Sequence, residues 1–472
     1  METYEIFCAG KFLTTATPCS IHSPHDGALV GQTWLAGTSE YEMAVDAALA
    51  VRDRLIDMPA YERSGVLSRL VALMHRDREV LARLIALEAA KPWKLALGEV
   101  DRAIQTFFVS SEEARRIEGE YFSIDWTPAG IGKEGLVKWF PAGVVGGIAP
   151  FNFPLNLASH KLGPALAAGC PIILKPSTRT PLSVLHLARL IHEAGAPGGS
   201  VSILPMDRLS GDRMVTDSRL AVLSFTGSPE VGWDMKARAG RKKVVLELGG
   251  NAGVVVDQTA DVELAVAKCV SGAFAYSGQV CIHTQRIFVQ QQVFSQFLDL
   301  FVKKAALLRQ GDPLDERTDI AAMIDEGNAI RVENWIEEAV AAGATLVYGG
   351  KRKGAFVEPA ILTGTRPEMK VCGLEVFGPV VSIEPYSDFP EALSLVNNSR
   401  FGLQAGVFTN SIEAMNHAFR HLEVGGVVIN DVPTFRVDHM PYGGVKESGF
   451  GREGVRYAMR DMMEPRLLVK PF

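Results

Sequence analysis

The chain has 472 residues, of which 47% are hydrophobic and 22% are charged, as in a globular protein with a large core. A formal net charge of −6 gives no electrostatic reason to expect nucleic acid or a membrane surface as a partner. The six cysteines form no C-x-x-C pair, so we expect neither a bound metal nor a disulfide framework.

The N-terminal segment lacks the features of a secretory signal, because residues 1–10 contain neither a basic stretch nor a long apolar one. No apolar run approaches the roughly 18 residues that a membrane-spanning helix needs. Thiols stay reduced in the cytosol, so the scattered cysteines favour a cytoplasmic protein. At roughly 150 residues per domain, the length predicts two or three domains.

Apolar residues at helical spacing follow the first forty residues. Thr38-Ser39 can cap a helix that runs to about residue 54. Apolar repeats at 66–74 and 80–85, and a segment from about 98 to 117, predict three more helices.

Two short strand-like runs, at 121–126 and 135–140, flank the turn residues Thr127-Pro128-Ala129-Gly130 and predict a long hairpin. A hairpin alone is marginal in water. This one has no partner strand nearby in the sequence. We therefore expect it to pack on another subunit, so that the protein is not a monomer.

From residue 144 onwards, buried strands alternate with helices, which predicts parallel sheet covered on both faces. The alternation breaks at Gly249-Gly250 and then resumes, so we place a domain boundary there. The strands predicted before the break are 144–148, 171–174, 201–204, 221–225 and 244–246. Their helices are 155–168, 182–193, 211–218 and 229–238. After the break we predict strands at 253–256, 287–289, 380–385, 405–409 and 426–430, and helices at 261–277, at 292–308 and from 389.

Two segments match G-x-G-x-x-G, but neither lies between a strand and a helix. Residues 130–135 fall inside the hairpin, and 449–454 leave too few residues for a βαβ unit. A better candidate is the segment 225–232, which follows an apolar strand and opens a helix with Ser228 and Pro229. Backbone N–H groups at such a helix start can bind a pyrophosphate. An ordinary strand-to-helix turn explains these residues equally well.

Cys281 is the candidate nucleophile. It lies between a small-residue segment, 271–278, and a β-branched and aromatic run, 286–289. A thiolate held at a helix-to-strand junction can be activated by a helix terminus, a charge or a base. Most cysteines are small buried hydrophobes, so this position alone leaves both interpretations open.

Seven motifs, in this order and spacing, resemble the aldehyde dehydrogenase superfamily over essentially the whole chain. Members of that family oxidise aldehydes to carboxylates with NAD or NADP. The motifs are Pro150-Phe151-Asn152-Phe153-Pro154, Leu174-Lys175-Pro176-Ser177, Phe225-Thr226-Gly227-Ser228, Leu246-Glu247-Leu248-Gly249-Gly250-Asn251, Gly278-Gln279-Val280-Cys281, Glu375-Val376-Phe377-Gly378-Pro379 and Pro441-Tyr442-Gly443-Gly444-Val445-Lys446-Glu447-Ser448-Gly449.

The resemblance implies an α/β fold with a Rossmann-type parallel-sheet cofactor domain, an α/β catalytic domain and a β-hairpin oligomerisation element. It places the NAD(P)-binding domain at residues 1–119 and 140–247 and the catalytic domain at 248–445. Residues 120–139 and 460–472 would form the oligomerisation element of a homodimer or homotetramer.

For the chemistry, the resemblance implies that Cys281 adds to the aldehyde and that Asn152 and the backbone N–H of Cys281 form an oxyanion hole. Glu247 would activate water to hydrolyse the thioester, which favours a free acid product over transfer to coenzyme A. His283 is expected to be structural, because Glu247 already fills the role of the base.

The resemblance also implies cofactor and substrate contacts. Thr178 stands where NAD-preferring relatives often have a glutamate, and Arg179 follows it, so both NAD and NADP stay open. The implied cofactor-binding residues are Lys175, Ser177, Thr178, Gly227, Ser228, Gly232, Glu375 and Phe377. The candidate substrate-binding residues are Arg102, Phe153, Arg436 and His439.

These substrate residues favour a small polar or anionic aldehyde, such as lactaldehyde, a semialdehyde or a phosphorylated aldehyde. Arg102 matches a phosphate-contacting arginine of the non-phosphorylating glyceraldehyde-3-phosphate dehydrogenase branch. Val280 departs from that branch, which has an arginine directly before the nucleophile. Residues 281–286 are most similar to the lactaldehyde dehydrogenase-like subgroup.

Two other functions remain to be distinguished. A thiol esterase or hydrolase would use Cys281 without a cofactor, but it leaves Lys175 and the segment 225–232 without a role. A non-catalytic relative would be expected to lack Cys281 or Glu247, and both are present.

Overall fold

The computed structural model describes residues 2–471. Its N-terminal part consists of two short hairpins followed by four helices. The strands are β1 Ile6–Cys8, β2 Lys11–Leu13, β3 Pro18–His22 and β4 Leu29–Trp34. The helices are α1 Thr38–Asp57, α2 Ala60–Arg76, α3 Arg78–Ala89 and α4 Trp93–Glu113.

A long hairpin and an alternating βα region follow. The strands are β5 Glu120–Ser123, β6 Lys133–Pro141, β7 Val144–Ile148, β8 Ile172–Lys175, β9 Val201–Ile203, β10 Leu220–Thr226 and β11 Lys243–Glu247. The helices are α5 Pro154–Ala168, α6 Leu182–Glu193, α7 Arg208–Thr216 and α8 Pro229–Arg238.

The remaining elements build a second α/β region and a C-terminal return. The strands are β12 Gly253–Val256, β13 Arg286–Gln290, β14 Thr345–Tyr348, β15 Arg352–Lys353, β16 Phe356–Val357, β17 Ala360–Thr363, β18 Val380–Tyr386, β19 Phe401–Gly402, β20 Gln404–Phe408, β21 Gly426–Ile429, β22 Val445–Lys446, β23 Gly449–Phe450 and β24 Met463–Pro471. The helices are α9 Val262–Phe274, α10 Gln291–Ala305, α11 Glu326–Ala341, α12 Lys370–Gly373, α13 Phe389–Asn397, α14 Ile412–His421 and α15 Val455–Asp461.

Two large sheets organise these elements. The first has eight strands in the order β2-β1-β9-β8-β7-β10-β11-β23, and the second has seven in the order β14-β17-β18-β13-β12-β20-β21. The central strands of each are parallel and buried, as the apolar runs predict. The predicted α/β fold class is therefore confirmed, and the chain passes from one sheet to the other between Glu247 and Gly253.

The predicted hairpin is present and gains a third strand. β6 pairs antiparallel with β5 on one side and with the C-terminal β24 on the other. The hairpin and β24 expose apolar side chains: Trp126, between β5 and β6, is 89% exposed, Tyr121 69% and Leu467 53%.

The sheet directions position a site. In the first sheet, the carboxyl ends of β7, β8, β10 and β11 lie on the same side of the sheet, because these strands are parallel. In the second sheet, the segments that lead into β12, β13 and β18 lie together at the amino ends of parallel strands. Asn152 and Glu247 lie at the carboxyl ends of strands of the first sheet. Cys281 and Glu375 lie in the segments that lead into strands of the second sheet. The residues that the sequence singles out therefore converge from both sheets.

No helix within residues 2–471 is long and apolar enough to cross a membrane.

Candidate active site

Cys281 follows a strained turn that connects α9 to β13. Tyr276, Ser277 and Gly278 all have positive φ, at 50°, 53° and 68°. A Cβ on Gly278 would lie 2.1 Å from the carbonyl oxygen of Gly378, so only glycine fits there. The Tyr276 hydroxyl donates to the Ala89 carbonyl at 2.9 Å, and the Ser277 hydroxyl also bonds a backbone carbonyl. The turn is thus fixed by its surroundings, which is typical of strain kept at a functional position.

The Cys281 thiol is partly exposed and lines a cavity of about 590 Å³. Burial raises its pKa to about 11, and a hydrogen bond with Tyr442 opposes that rise. The Cys281 Sγ lies 3.3 Å from the Tyr442 hydroxyl oxygen. The other cysteines are buried, except Cys19 on β3, and none of them lines this cavity.

Asn152 lies in the loop between β7 and α5, on the wall of the same cavity. Its side-chain amide donates to the Gln279 carbonyl at 3.0 Å, which ties it to the segment that carries Cys281. The N–H groups of Leu155 and Asn156, at the start of α5, donate to the Glu99 carboxylate at 2.9 and 3.2 Å. The Asn152 amide is therefore tied to the segment of Cys281, and the start of α5 that follows it is held by α4.

A fully buried ion pair supports this loop. Lys91 pairs with Glu99 and donates a 2.6 Å hydrogen bond to the backbone carbonyl of Asn152. Its ammonium also lies 3.6 Å from the centre of the Phe153 ring. Burial lowers the pKa of Lys91 to about 8, while the carboxylate of Glu99 favours the charged form.

Lys91→Met tests how much this pair stabilises the protein. The substitution leaves Glu99 buried without its cation, so we expect the free energy of unfolding to fall by about 3–5 kcal/mol. Lys94→Met is the matched control, because the Lys94 side chain is 60% exposed and its ammonium lies 3.6 Å from Asp319. We expect that change to stay within about 0.5 kcal/mol. Urea denaturation of both variants measures the difference, and equal midpoints would contradict the assignment.

Glu247 is the last residue of β11 and is buried in the cavity wall. Neither of its carboxyl oxygens has a hydrogen-bond partner within residues 2–471. Burial raises the pKa of Glu247 well above its usual range, and the negative charge of Glu453 adds to the rise. An unanchored carboxyl with a raised pKa suits a group that accepts a proton at near-neutral pH.

A buried charge network lies behind the site. Arg436 donates to Glu453 at 2.9 Å and stacks over the Tyr442 ring at 3.7 Å, and Lys161 lies 3.4 Å from Glu453. Burial opposes the ionisation of Glu453, but the cations, Lys161 foremost, lower its pKa to about 2. Glu453 is therefore ionised while its neighbour Glu247 is biased toward the protonated form.

The candidate substrate residues have different surroundings. Arg102 is 30% exposed and pairs with Asp438 at 2.8 Å, and Asp438 also contacts His160 at 2.8 Å. Phe153 packs with Lys91 beside the nucleophile segment, and Arg436 is nearly buried. His439 is exposed. These side chains do not line the 590 Å³ cavity itself.

The cofactor candidates fall into two groups around the cavity. Gly227, Ser228, Glu375 and Phe377 line it. The others, Lys175, Ser177, Thr178 and Gly232, belong to the adjoining strand ends and helix α8. Ser228 is the N-cap of α8 and Pro229 follows in the first turn, so the helix start opens onto the cavity as the sequence predicts.

These residues fit a dinucleotide. A Cβ on Gly249 would lie 2.1 Å from a Glu375 carboxyl oxygen, so glycine leaves room for that carboxyl at the cavity wall. Gly250 N–H donates to Glu375 at 3.2 Å, and burial raises the pKa of Glu375 to about 8. Burial also lowers the pKa of Lys175, whose ammonium makes no hydrogen bond to another residue in the described part of the chain. A carboxyl and an ammonium of this kind suit ribose hydroxyls.

Two contacts went unrecognised in the sequence. Lys91 and Glu99 stand eight residues apart with no motif between them, so nothing local signals their pairing. Tyr442 lies in a motif that the sequence singles out, yet only the fold brings its hydroxyl to Cys281. His283 is buried and its Nε2 lies 2.8 Å from the Ala273 carbonyl, while burial lowers its pKa to about 4. That placement agrees with the structural role expected for it.

Comparisons with known proteins agree with this geometry. The Aldehyde dehydrogenase family matches residues 13–468. A 3-sulfolactaldehyde dehydrogenase from Priestia aryabhattai is 41% identical over 99% of this chain and 98% of its own. Aldehyde dehydrogenase 21 from Physcomitrella patens, solved with the reaction product succinate, is 43% identical with a TM-score of 0.97 and covers 100% of this chain and 98% of its own. The NADP-dependent glyceraldehyde-3-phosphate dehydrogenase from Bacillus halodurans C-125, solved with NADP, is 35% identical with a TM-score of 0.97 and full coverage of both chains, at 100% each.

The fold and the site thus define an α/β dehydrogenase in which a cysteine and residues that fit a dinucleotide lie between two sheets. The chain belongs to the aldehyde dehydrogenase family. The predicted class of reaction, NAD(P)-dependent oxidation of an aldehyde, is therefore confirmed.

Proposed function

We propose that this enzyme oxidises a small anionic aldehyde to the free carboxylic acid, with Cys281 as nucleophile, Asn152 as oxyanion donor and Glu247 as general base. The observation that carries the proposal is that these three side chains line one cavity together with the cofactor candidates. Asn152 and Cys281 come from two different loops and Glu247 from the end of β11, and packing alone gives no reason for a thiol, an amide and an unpaired carboxyl to meet.

In the first half-reaction, the thiolate of Cys281 adds to the aldehyde carbon and forms a thiohemiacetal. Negative charge then develops on the former carbonyl oxygen. The Asn152 amide and the Cys281 N–H are suited to receive it, and removing one such donor typically costs about 3–4 kcal/mol of barrier. When bound, the nicotinamide supplies the hydride acceptor that aldehyde oxidation requires.

In the second half-reaction, water hydrolyses the thioester on Cys281. Glu247 takes the proton from water as the new C–O bond forms, and the carboxylate product and the free thiol are released. The lack of a fixed hydrogen bond lets the Glu247 carboxyl rotate toward the water. A transferase to coenzyme A has no need of this base, so its presence favours hydrolysis.

The charges around the substrate side favour an anion. Arg102, Arg436 and Lys161 are three cations, and they face two carboxylates whose pKa is lowered, Asp438 and Glu453. Three basic side chains thus stand against these two carboxylates, while burial disfavours the charged form of the nearby Glu247. The Nε of Arg436 is also buried without a hydrogen-bond partner in the described chain. The relatives named above have a sulfonate, a carboxylate or a phosphate in the substrates or products that they are named for or bind.

For the cofactor we propose that NADP and NAD both bind. Thr178 carries no charge to repel a 2′-phosphate, and the Arg179 side chain is 64% exposed with only a long 3.4 Å contact to Asp325. It can therefore turn toward a phosphate without losing a strong partner. A related enzyme binds NADP in its solved structure, which supports the phosphorylated form.

The assay is absorbance at 340 nm with lactaldehyde, succinic semialdehyde and sulfonated or phosphorylated aldehydes, each with NAD and with NADP. Propionaldehyde is the neutral control of similar size. We expect kcat/KM to be at least about tenfold higher for the anions, since a hydrogen bond to a charged group contributes about 1.5–3 kcal/mol. A preference for propionaldehyde would reject the anionic substrate. Turnover of activated esters without nucleotide, and no aldehyde oxidation, would favour a thiol hydrolase instead.

The proposal extends to assembly and location. We propose a cytoplasmic homodimer or homotetramer in which residues 120–139 and 460–471 contact another subunit. The exposed apolar side chains of β24, such as Leu468 and Val469, support this, because an exposed apolar edge invites pairing. Residue 472 lies outside the described residues. We likewise propose that residues 1–119 and 140–247 bind the cofactor and that 248–445 form the catalytic domain.

A further inference from the structure

The hydroxyl of Tyr442 forms a hydrogen bond with the thiol of Cys281. The two atoms are 3.3 Å apart, a hydrogen-bond distance for sulfur. The ring is only 3% exposed, and within residues 2–471 the hydroxyl contacts no other polar group. Burying a hydroxyl without a partner costs free energy. The thiol is therefore the contact that justifies a tyrosine here in place of a phenylalanine.

Tyr442 is fixed from several directions. Its backbone N–H donates to the Glu453 carbonyl at 3.0 Å, and the Glu453 N–H donates back at 2.6 Å. The Arg436 guanidinium lies 3.7 Å from the ring centre. A cation over the ring withdraws electron density from it, which makes the phenolic O–H a stronger donor. Burial raises the pKa of Tyr442 well above its usual range, so the hydroxyl keeps its proton.

We propose that Tyr442 is a catalytic residue whose hydroxyl donates a hydrogen bond to the thiolate of Cys281 and holds that sulfur ready for attack. The inference rests on the proposed role of Cys281 as nucleophile. No proton leaves Tyr442 in this step: the thiolate loses the hydrogen bond as its electron pair forms the C–S bond to the aldehyde carbon.

The site needs such a donor. Burial and the nearby carboxyls of Glu375 and Glu247 disfavour the thiolate, and Tyr442 and Arg436 are the groups that oppose them. Asn152 is not assigned this role, because one N–H of its amide donates to the Gln279 carbonyl and the other is the one proposed for the oxyanion. A hydroxyl that donates to sulfur raises the thiolate fraction without adding a charge.

The test is the pH dependence of Cys281 alkylation by iodoacetamide in Tyr442→Phe, with no cofactor or aldehyde present. Phenylalanine keeps the ring and removes only the hydroxyl. We expect the alkylation curve to move to higher pH by about one pH unit, so that the rate near pH 8 falls about tenfold. Mass spectrometry of the Cys281 peptide gives the rate, and the partly exposed Cys19 is an internal control whose curve stays in place.

Two further variants make the result specific. Tyr41→Phe removes another buried hydroxyl, one that donates to Asp217 at 2.9 Å, and leaves the Cys281 curve unchanged. Tyr442→Met lacks the hydroxyl as well and replaces Tyr442→Phe if that variant does not fold; the same shift is expected. A folded variant without the hydroxyl whose Cys281 curve matches the native one overturns the inference.

The experiment separates this inference from the proposed function, because alkylation requires no aldehyde oxidation. A shifted curve supports the role of Tyr442 even for an enzyme that oxidises none of the aldehydes. An unshifted curve in an enzyme that oxidises anionic aldehydes rejects the role of Tyr442 and leaves the proposed function intact.

Discussion

Cys281→Ser abolishes aldehyde oxidation and leaves the protein folded. A serine hydroxyl ionises far less readily than a thiol, so it needs a base to become a nucleophile. The contacts described near residue 281, from Asn152 and Tyr442, supply no such base. Loss of a nucleophile lowers kcat by on the order of 10⁴-fold or more. The decrease is measured as the rate of reduced cofactor formation at saturating aldehyde, with cofactor binding followed separately by fluorescence.

Cys19→Ser is the control for this experiment. Cys19 lies on β3, is also partly exposed and lies outside the cavity. We expect its kcat to stay within about twofold of the native value, in line with the small effects of surface substitutions. If Cys281→Ser retained oxidation while Cys19→Ser lost it, the nucleophile would have to be sought elsewhere.

The parallel strands and their helices were predictable because each leaves a local signal. The bounds of β7, α6, α8 and β12 agree with the predicted ranges to the residue. Each is an apolar or amphipathic run that turn residues or a cap delimit. The predicted ends of β8, β9 and α7 differ by one to three residues, as expected where the cap residue alone decides the boundary.

The segment from 311 to 379 was not predictable in the same way. It contains α11, which no predicted element covers, and strands of two to four residues such as β15, too short to show a period. β23 is similar: it pairs antiparallel with β11 across some two hundred residues of chain. Pairings of this kind depend on the fold as a whole and not on neighbours in the sequence.

The candidate site also combines features that the sequence indicates with features that only the fold determines. The resemblance to a family singled out Cys281, Glu247 and Asn152, since their residue types and positions alone left other interpretations open. The charges that shift the pKa values of such residues come from distant segments of the chain. Glu453 lies more than two hundred residues from Glu247, and it raises the pKa of Glu247 because both carboxyls are buried together. A sequence pattern indicates which groups react, whereas the environment of each group follows only from tertiary packing.

Glu247→Gln permits one burst of reduced cofactor and then stalls at the thioester. Glutamine fills the same volume at the end of β11 but cannot take a proton from water. Loss of hydride from the thiohemiacetal carbon needs no base at this position, so the burst should equal one reduced cofactor per active site. We expect the steady-state rate to fall by about 10²–10⁴-fold, the usual contribution of a general base. Stopped-flow absorbance at 340 nm measures both phases, and acid quenching recovers the acyl-enzyme for mass spectrometry.

Glu384→Gln is the matched control, since Glu384 is another carboxyl whose pKa burial raises, on β18 outside the cavity. It should retain normal turnover.

The pH dependence provides an independent check on Glu247. Only its ionised form can accept a proton, and burial raises its pKa, so deacylation should increase with pH as this carboxyl loses its proton above the usual range for a glutamate. In Glu247→Gln that rise disappears from the residual steady-state rate, whereas the alkylation curve of Cys281 keeps its own pH dependence. A Glu247→Gln enzyme with normal steady-state turnover and an unchanged pH profile would remove Glu247 from the role of the base. The water would then need another acceptor, and Glu453 is a poor one, because neighbouring cations hold its pKa at about 2.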